Sequence, residues 1–180
     1  MKKMNIGLVG AGFMGKAHMV AFSNMPKLFT DAPFIPVFKT VCDIVPEIAE
    51  DFKERYGFEK ACTDWMDIIN DPEIDIVSVC TPNSEHAAVS IAALKAGKHV
   101  ICEKPIASTT EDAKAMAEAA AEAAKKGIVS MNGYQYRRVP AIDEAKKIIE
   151  SRKTWRADKY QNSVSSELVC RPIFSIILEI

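Results

Sequence analysis

Nowhere in its 180 residues does the sequence hold the run of about 20 apolar residues that a membrane-spanning helix needs, so no membrane partner is expected. Met1-Lys2-Lys3 followed by Ile6–Val9 looks like the start of a signal peptide. That apolar run is too short and is cut by Gly7, Gly10, Gly12 and Lys16. Neither sign of charge dominates: 23 Lys and Arg stand against 24 Asp and Glu, a net charge of -1. This balance argues against nucleic acid as a partner, because such binders carry a basic footprint. The five cysteines (Cys42, Cys62, Cys80, Cys102, Cys170) form no CxxC pair and are odd in number. Thiols scattered this way lack a disulfide framework and fit a reducing, cytoplasmic compartment. His, Cys and acidic residues show no ligand spacing, so no metal is expected. No solenoid repeat is present.

What remains is an ordinary globular composition, 48% apolar and 26% charged. From residue 4 to about 150, short apolar runs alternate with helical periods, which is the pattern of βαβ units and a doubly wound parallel sheet. Strands are expected at Asn5–Val9, Val37–Cys42, Asp75–Cys80, His99–Cys102 and Ile128–Asn132. Helices are expected at Gly12–Met25, Pro46–Tyr56, Asp64–Asn70 and Ser84–Ala96, then from a capping box at Ser108–Glu111 to Lys125, and from Pro140 onward. The three prolines between Pro26 and Pro36 mark that segment as an irregular connection.

Gly10-Ala11-Gly12-Phe13-Met14-Gly15 is a G-x-G-x-x-G between an expected strand and an expected helix. Gly10 serves the tight turn, Gly12 the approach of a pyrophosphate to the backbone, and Gly15 the close packing of helix on strand. The helix N-terminus, opened by Phe13 and Met14, offers free N–H groups and the positive dipole end. Asp43 closes the second strand and is placed to accept hydrogen bonds from an adenosine ribose. It lies 33 residues after Gly10, beyond the usual spacing of about 20, and the proline-broken connection accounts for the excess. Ile44 and Val45 offer no arginine or serine to a 2′-phosphate, which favours NAD over NADP; Lys39 argues the other way.

Thr81-Pro82-Asn83 and Glu103-Lys104-Pro105 follow two further strands at the same carboxyl edge, where open α/β sheets bind ligands. A lysine there can hydrogen-bond a substrate hydroxyl and help move its proton, although Lys104 taken alone reads first as a surface lysine. His86, in the first turn of a helix at that edge, is a candidate cofactor neighbour. His18 reads as a packing or surface residue and His99 as structural.

GLVGAGFMG, Thr81-Pro82-Asn83 with His86 behind it, AGKHVICEKP and GYQYRRVPAI together resemble the glucose–fructose oxidoreductase/inositol dehydrogenase (Gfo/Idh/MocA) family over residues 4 to about 150. The resemblance implies an N-terminal Rossmann domain and an oxidoreductase that uses NAD(P) on a sugar, cyclitol or related polyol. It implies that Lys104 contacts substrate and takes part in proton transfer. It further implies that Thr81, Pro82 and Asn83 line the cofactor, that Glu103 is a cofactor-side acid, and that Arg137 is the arginine after the last strand.

The family's second domain, with its catalytic Asp and His, has no counterpart here: no histidine follows His99. Residues 151–180 do not look like family sequence, which is the expectation for a truncated or frameshifted product with a Rossmann domain at 1–150. A polyol partner is then expected only if a second domain is supplied, and a homo-oligomer stays open. Two rivals also stay open. One is a dinucleotide-binding module without turnover; the other is an S-adenosylmethionine-binding fold, which the glycine fingerprint and Asp43 disfavour.

Overall fold

The computed structural model describes residues 1–151, so the reading of the tail beyond Ser151 lies outside the described residues. Two compact units divide the chain at Gly133 and Tyr134. The first holds six strands: β1 (Lys2–Val9), β2 (Phe34–Cys42), β3 (Lys60–Cys62), β4 (Ile76–Val79), β5 (His99–Cys102) and β6 (Ser130–Asn132). They form one sheet in the order β3-β2-β1-β4-β5-β6, with every neighbouring pair parallel. The chain winds outward from β1 one way and, from β4, the other. The order therefore reverses between β1 and β4, the place where such sheets bind ligands beyond their carboxyl ends.

Strand alternation sorts the apolar residues into two layers. Ile6 and Leu8 of β1 and Ile76 of β4 pack with Met19 and Phe22 of α1 (Phe13–Leu28) and Phe52 of α2 (Pro46–Tyr56). Val9, Val77 and Val79 face the opposite side. There they meet Ile68 of α3 (Met66–Asn70), Ala87 and Val89 of α4 (His86–Lys95), and Met116 of α5 (Thr110–Ala124). Small residues let these elements approach: a side chain on Gly7 would lie 2.5 Å from Ile68 Cγ2. The second unit contains a 3-10 turn at Gln135–Arg138 and the amphipathic α6 (Pro140–Glu150).

Several boundaries differ from the expected ones, each for a local reason. α1 carries through Pro26 to Leu28, because Pro26 falls in its last turn, where one lost backbone bond is a small cost beside the buried Met19 and Phe22. β2 starts at Phe34 and includes Pro36. Only its last residues, Thr40–Cys42, pair with β3, so Pro36 sits where β2 is an edge strand and needs no donor on that side. β3 was not expected; three residues are too few to show a period. The cap of α5 is Thr109 rather than Ser108: its Oγ accepts from the Asp112 N–H at 3.1 Å and donates to the Asp112 carboxylate at 2.8 Å. The hydroxyl half of the expected capping box is present one residue on, while the acid, Asp112, accepts from the cap hydroxyl rather than from a backbone N–H.

Phe52 is 1% exposed, with its ring 4.3 Å from that of Tyr56 and 6.3 Å from that of Phe58. Phe52→Ala removes the centre of this aromatic group. It is expected to cost about 3–5 kcal/mol, measured as a lower midpoint in urea unfolding.

Candidate functional site

The turn from β1 into α1 is built by glycines with separate tasks. Gly10 has φ +97, and a Cβ on it would lie 2.5 Å from the Cys80 carbonyl oxygen and 2.9 Å from the Thr81 nitrogen. A Cβ on Gly15 would overlap the Gly10 carbonyl oxygen. Around Gly12 a Cβ would meet nothing within 4 Å. Gly10 and Gly15 thus close the turn, and Gly12 leaves open space over the helix end. No side chain caps α1, and its first turn holds no acidic residue. The N–H groups of Phe13, Met14 and Gly15 have no partner within the helix, and the Phe13 side chain is exposed. An uncapped, positively polarised helix end under open space fits a pyrophosphate.

Asp43, at the end of β2, reaches across this turn. One carboxylate oxygen accepts the Ala11 N–H at 3.0 Å and the other the Val45 N–H at 3.1 Å. Each oxygen keeps a further lone pair for ligand hydroxyls. Lys39 is not a competitor for a 2′-phosphate. Its ammonium lies 2.6 Å from Glu59 and 3.0 Å from Glu73, and hydrogen bonds to both carboxylates raise its pKa further above the usual lysine value.

Beyond β4, Pro82 and Asn83 are exposed and lead into the 3-10 turn Asn83–Glu85. The Thr81 hydroxyl is buried and has no protein partner. Beyond β5, Glu103 is 6% exposed and Lys104 is exposed. His86, expected as a cofactor neighbour, instead fills the space between these two loops: it is 1% exposed. Its Nδ1 lies 2.8 Å from the Pro105 carbonyl oxygen and its Nε2 3.1 Å from that of Thr81. Both ring nitrogens face main-chain acceptors, so the imidazole clasps the loops and presents no nitrogen outward.

His18, read from the sequence as a packing or surface residue, is a packed one, and its partners are what the sequence does not show. It turns inward from α1, with Nδ1 2.8 Å from Ser78 Oγ and Nε2 3.0 Å from Glu103 Oε1. The signal was present in its spacing, since His18 falls on the same helical stripe as Gly15, Met19 and Phe22, all buried. Arg137 falls in the turn Gln135–Arg138 of the second unit. Among the described residues no group of His, Cys, Asp and Glu could hold a metal, and no helix is long and apolar enough to cross a membrane.

Residues 4–132 match the model of the Gfo/Idh/MocA family, described as an oxidoreductase family with an NAD-binding Rossmann fold. The chain belongs to this family. It is 49% identical over 150 residues to levoglucosan dehydrogenase of Pseudarthrobacter phenanthrenivorans, covering 83% of this chain and 38% of that one. It is 32% identical over 148 residues to myo-inositol 2-dehydrogenase of Thermotoga maritima, covering 82% and 41%. Among solved structures, levoglucosan dehydrogenase in complex with NADH superposes with a TM-score of 0.79 at 49% identity, covering 83% of this chain and 40% of that chain. The chain therefore spans about two fifths of the length of the Gfo/Idh/MocA relatives it matches.

Four thiols of the described residues surround this edge of the Gfo/Idh/MocA fold, and their environments differ. Burial pushes the Cys80 thiol up to about 12 and the Cys102 thiol up to about 11. Cys42 and Cys62 are register partners on β2 and β3. The neighbouring Cys42 thiol holds the pKa of Cys62 below the usual thiol value, while Cys62 and burial raise that of Cys42. At neutral pH iodoacetamide is expected to alkylate Cys62 before Cys42, Cys80 and Cys102. Peptide mass spectrometry at increasing times reads the order; earlier labelling of Cys80 or Cys102 would contradict these assignments.

Proposed function

We propose that this chain is the NAD-binding part of an oxidoreductase acting on a sugar, cyclitol or related polyol in the cytoplasm, with residues 1–150 as the cofactor-binding domain. The observation that carries the cofactor choice is the end of β2. Asp43 stands there with Ile44 and Val45 beside it, and Lys39 is committed to Glu59 and Glu73. A ribose 2′-hydroxyl can donate to Asp43, whereas a 2′-phosphate meets that carboxylate, and Ile44, Val45 and the paired Lys39 offer it no free cation. In this reading Gly12 and the N–H groups of Phe13, Met14 and Gly15 receive the pyrophosphate. The loop Thr81–Asn83 lines the cofactor beyond β4.

Bound NAD supplies a hydride acceptor. Lys104, exposed at the end of β5, hydrogen-bonds the substrate hydroxyl and relays its proton. The complexes of levoglucosan dehydrogenase with NADH and levoglucosan, and with NADH and L-sorbose, support a sugar-like substrate. The inositol dehydrogenases among the relatives support a cyclitol equally.

Titration of the purified chain is expected to show NADH bound more tightly than NADPH. S-adenosylmethionine should not displace it. Gly12→Val is expected to abolish binding and leave the melting temperature unchanged, since nothing lies within 4 Å of the added carbon. A chain ended at Glu150 is expected to bind NADH as the whole chain does. Equal or tighter NADPH binding would overturn the cofactor assignment.

A further inference from the structure

We propose that His18 is a positioning residue: through Glu103 it ties the helix that receives the pyrophosphate to the loop that carries Lys104. It thereby sets affinity for the nicotinamide half of the cofactor and leaves the adenosine half untouched. The inference rests on the NAD-binding reading above.

The geometry is a chain of contacts through one carboxylate. Glu103 Oε1 lies 3.0 Å from His18 Nε2, and Glu103 Oε2 accepts the backbone N–H of Lys104 at 3.1 Å. The two side chains are 14% and 8% exposed. His18 is itself fixed from β4, with Nδ1 2.8 Å from Ser78 Oγ. The carboxylate is closed in on one side. Behind it lies Gly133, where a Cβ would sit 2.8 Å from Oε1 and 3.2 Å from Cδ. The neighbouring groups from β4 and β5, Ser78, Cys80 and Cys102, carry no cation, and burial keeps both thiols protonated. Among the described residues His18 is the basic side chain paired with Glu103. A buried carboxylate stripped of such a partner is costly and tends to rearrange. Rearrangement of Glu103 releases the main chain at Lys104.

Topology says which half of the ligand feels this. The pyrophosphate belongs over the β1–α1 turn, and Asp43 at the end of β2 marks the adenosine side. The remaining half must extend the other way, over the ends of β4 and β5. There the ends of Glu103 and Lys104 lie, remote in sheet order from β2.

NADH and ADP-ribose isolate the contribution of the nicotinamide ring, because ADP-ribose keeps both phosphates and both riboses and carries a hydroxyl in place of nicotinamide. Calorimetric titration of both into wild type, His18→Ala and His18→Gln reads the ratio of affinities. In His18→Ala the preference for NADH over ADP-ribose is expected to fall about tenfold, the weight of one charge-assisted hydrogen bond. ADP-ribose affinity should change by less than about twofold on that account. His18→Gln keeps an N–H donor toward Glu103 and should restore most of the preference. A proportional loss for both ligands, or an unchanged ratio, would overturn the proposal by showing a purely structural role. Should His18→Ala not fold, Glu103→Gln, equal in shape and without charge, decides on the same ratio. Wild-type binding of neither ligand would instead overturn the cofactor reading, and this inference with it.

Discussion

The turn between β1 and α1 closes only because Gly15 places its Cα against the Gly10 carbonyl and Gly10 accepts a positive φ beneath the end of β4. From that contact the rest of the ligand edge follows. The Gly10 N–H reaches the Cys42 carbonyl at 2.9 Å, and the Cys80 N–H reaches the Val9 carbonyl at 2.7 Å. Asp43 then takes the Ala11 N–H. The ends of β2, β1 and β4 are thus held together by main-chain bonds around one glycine turn. Any side chain at Gly10 or Gly15 would push them apart, whereas Gly12, in open space, is left for the ligand.

A second layer of order lies under the surface loops. Three polar side chains, His86, His18 and Glu103, are sunk between elements, and each spans segments far apart in sequence. His86 joins the loop after β4 to the loop after β5; His18 and Glu103 join α1 to that same second loop. Buried polar groups of this kind must be satisfied with good geometry or they destabilise the fold. Here satisfying them fixes the backbone that carries Thr81, Glu103 and Lys104. The main chain on either side of the exposed Lys104 is thus tied to buried side chains.

The glycine fingerprint was legible in the sequence because its spacing encodes backbone needs that only glycine meets, and Asp43 because it ends a strand-like run. The alternation of strands and helices gave the winding, and the structure has the expected parallel sheet. β3 escaped notice because it is three residues long and pairs only at the end of β2. Pro26 and Pro36 look like breakers in the sequence. Whether a proline breaks an element depends on its place in the last turn of a helix or on a free strand edge, which composition does not reveal. The roles of His86 and His18 depend on loops 19 and 85 residues away; a helical stripe points to burial but not to the partner. Lys104 was placed at the right edge by its strand, while the group that fixes its main chain, Glu103, was read only as facing the cofactor.

In the NAD-binding reading the dinucleotide lies across the β1–α1 turn with its adenosine end at Asp43 and its other end toward Lys104. Amide NMR of the isotope-labelled 180-residue chain during NADH titration tests this most directly. The account predicts the largest shifts at Gly12, Phe13, Met14 and Val45, with further shifts at Thr81 and Lys104, and quiet amides along the outer faces of α4 and α5. Saturating NADH with shifts confined to α4, α5 or β6, and none at Gly12 to Gly15, would contradict it.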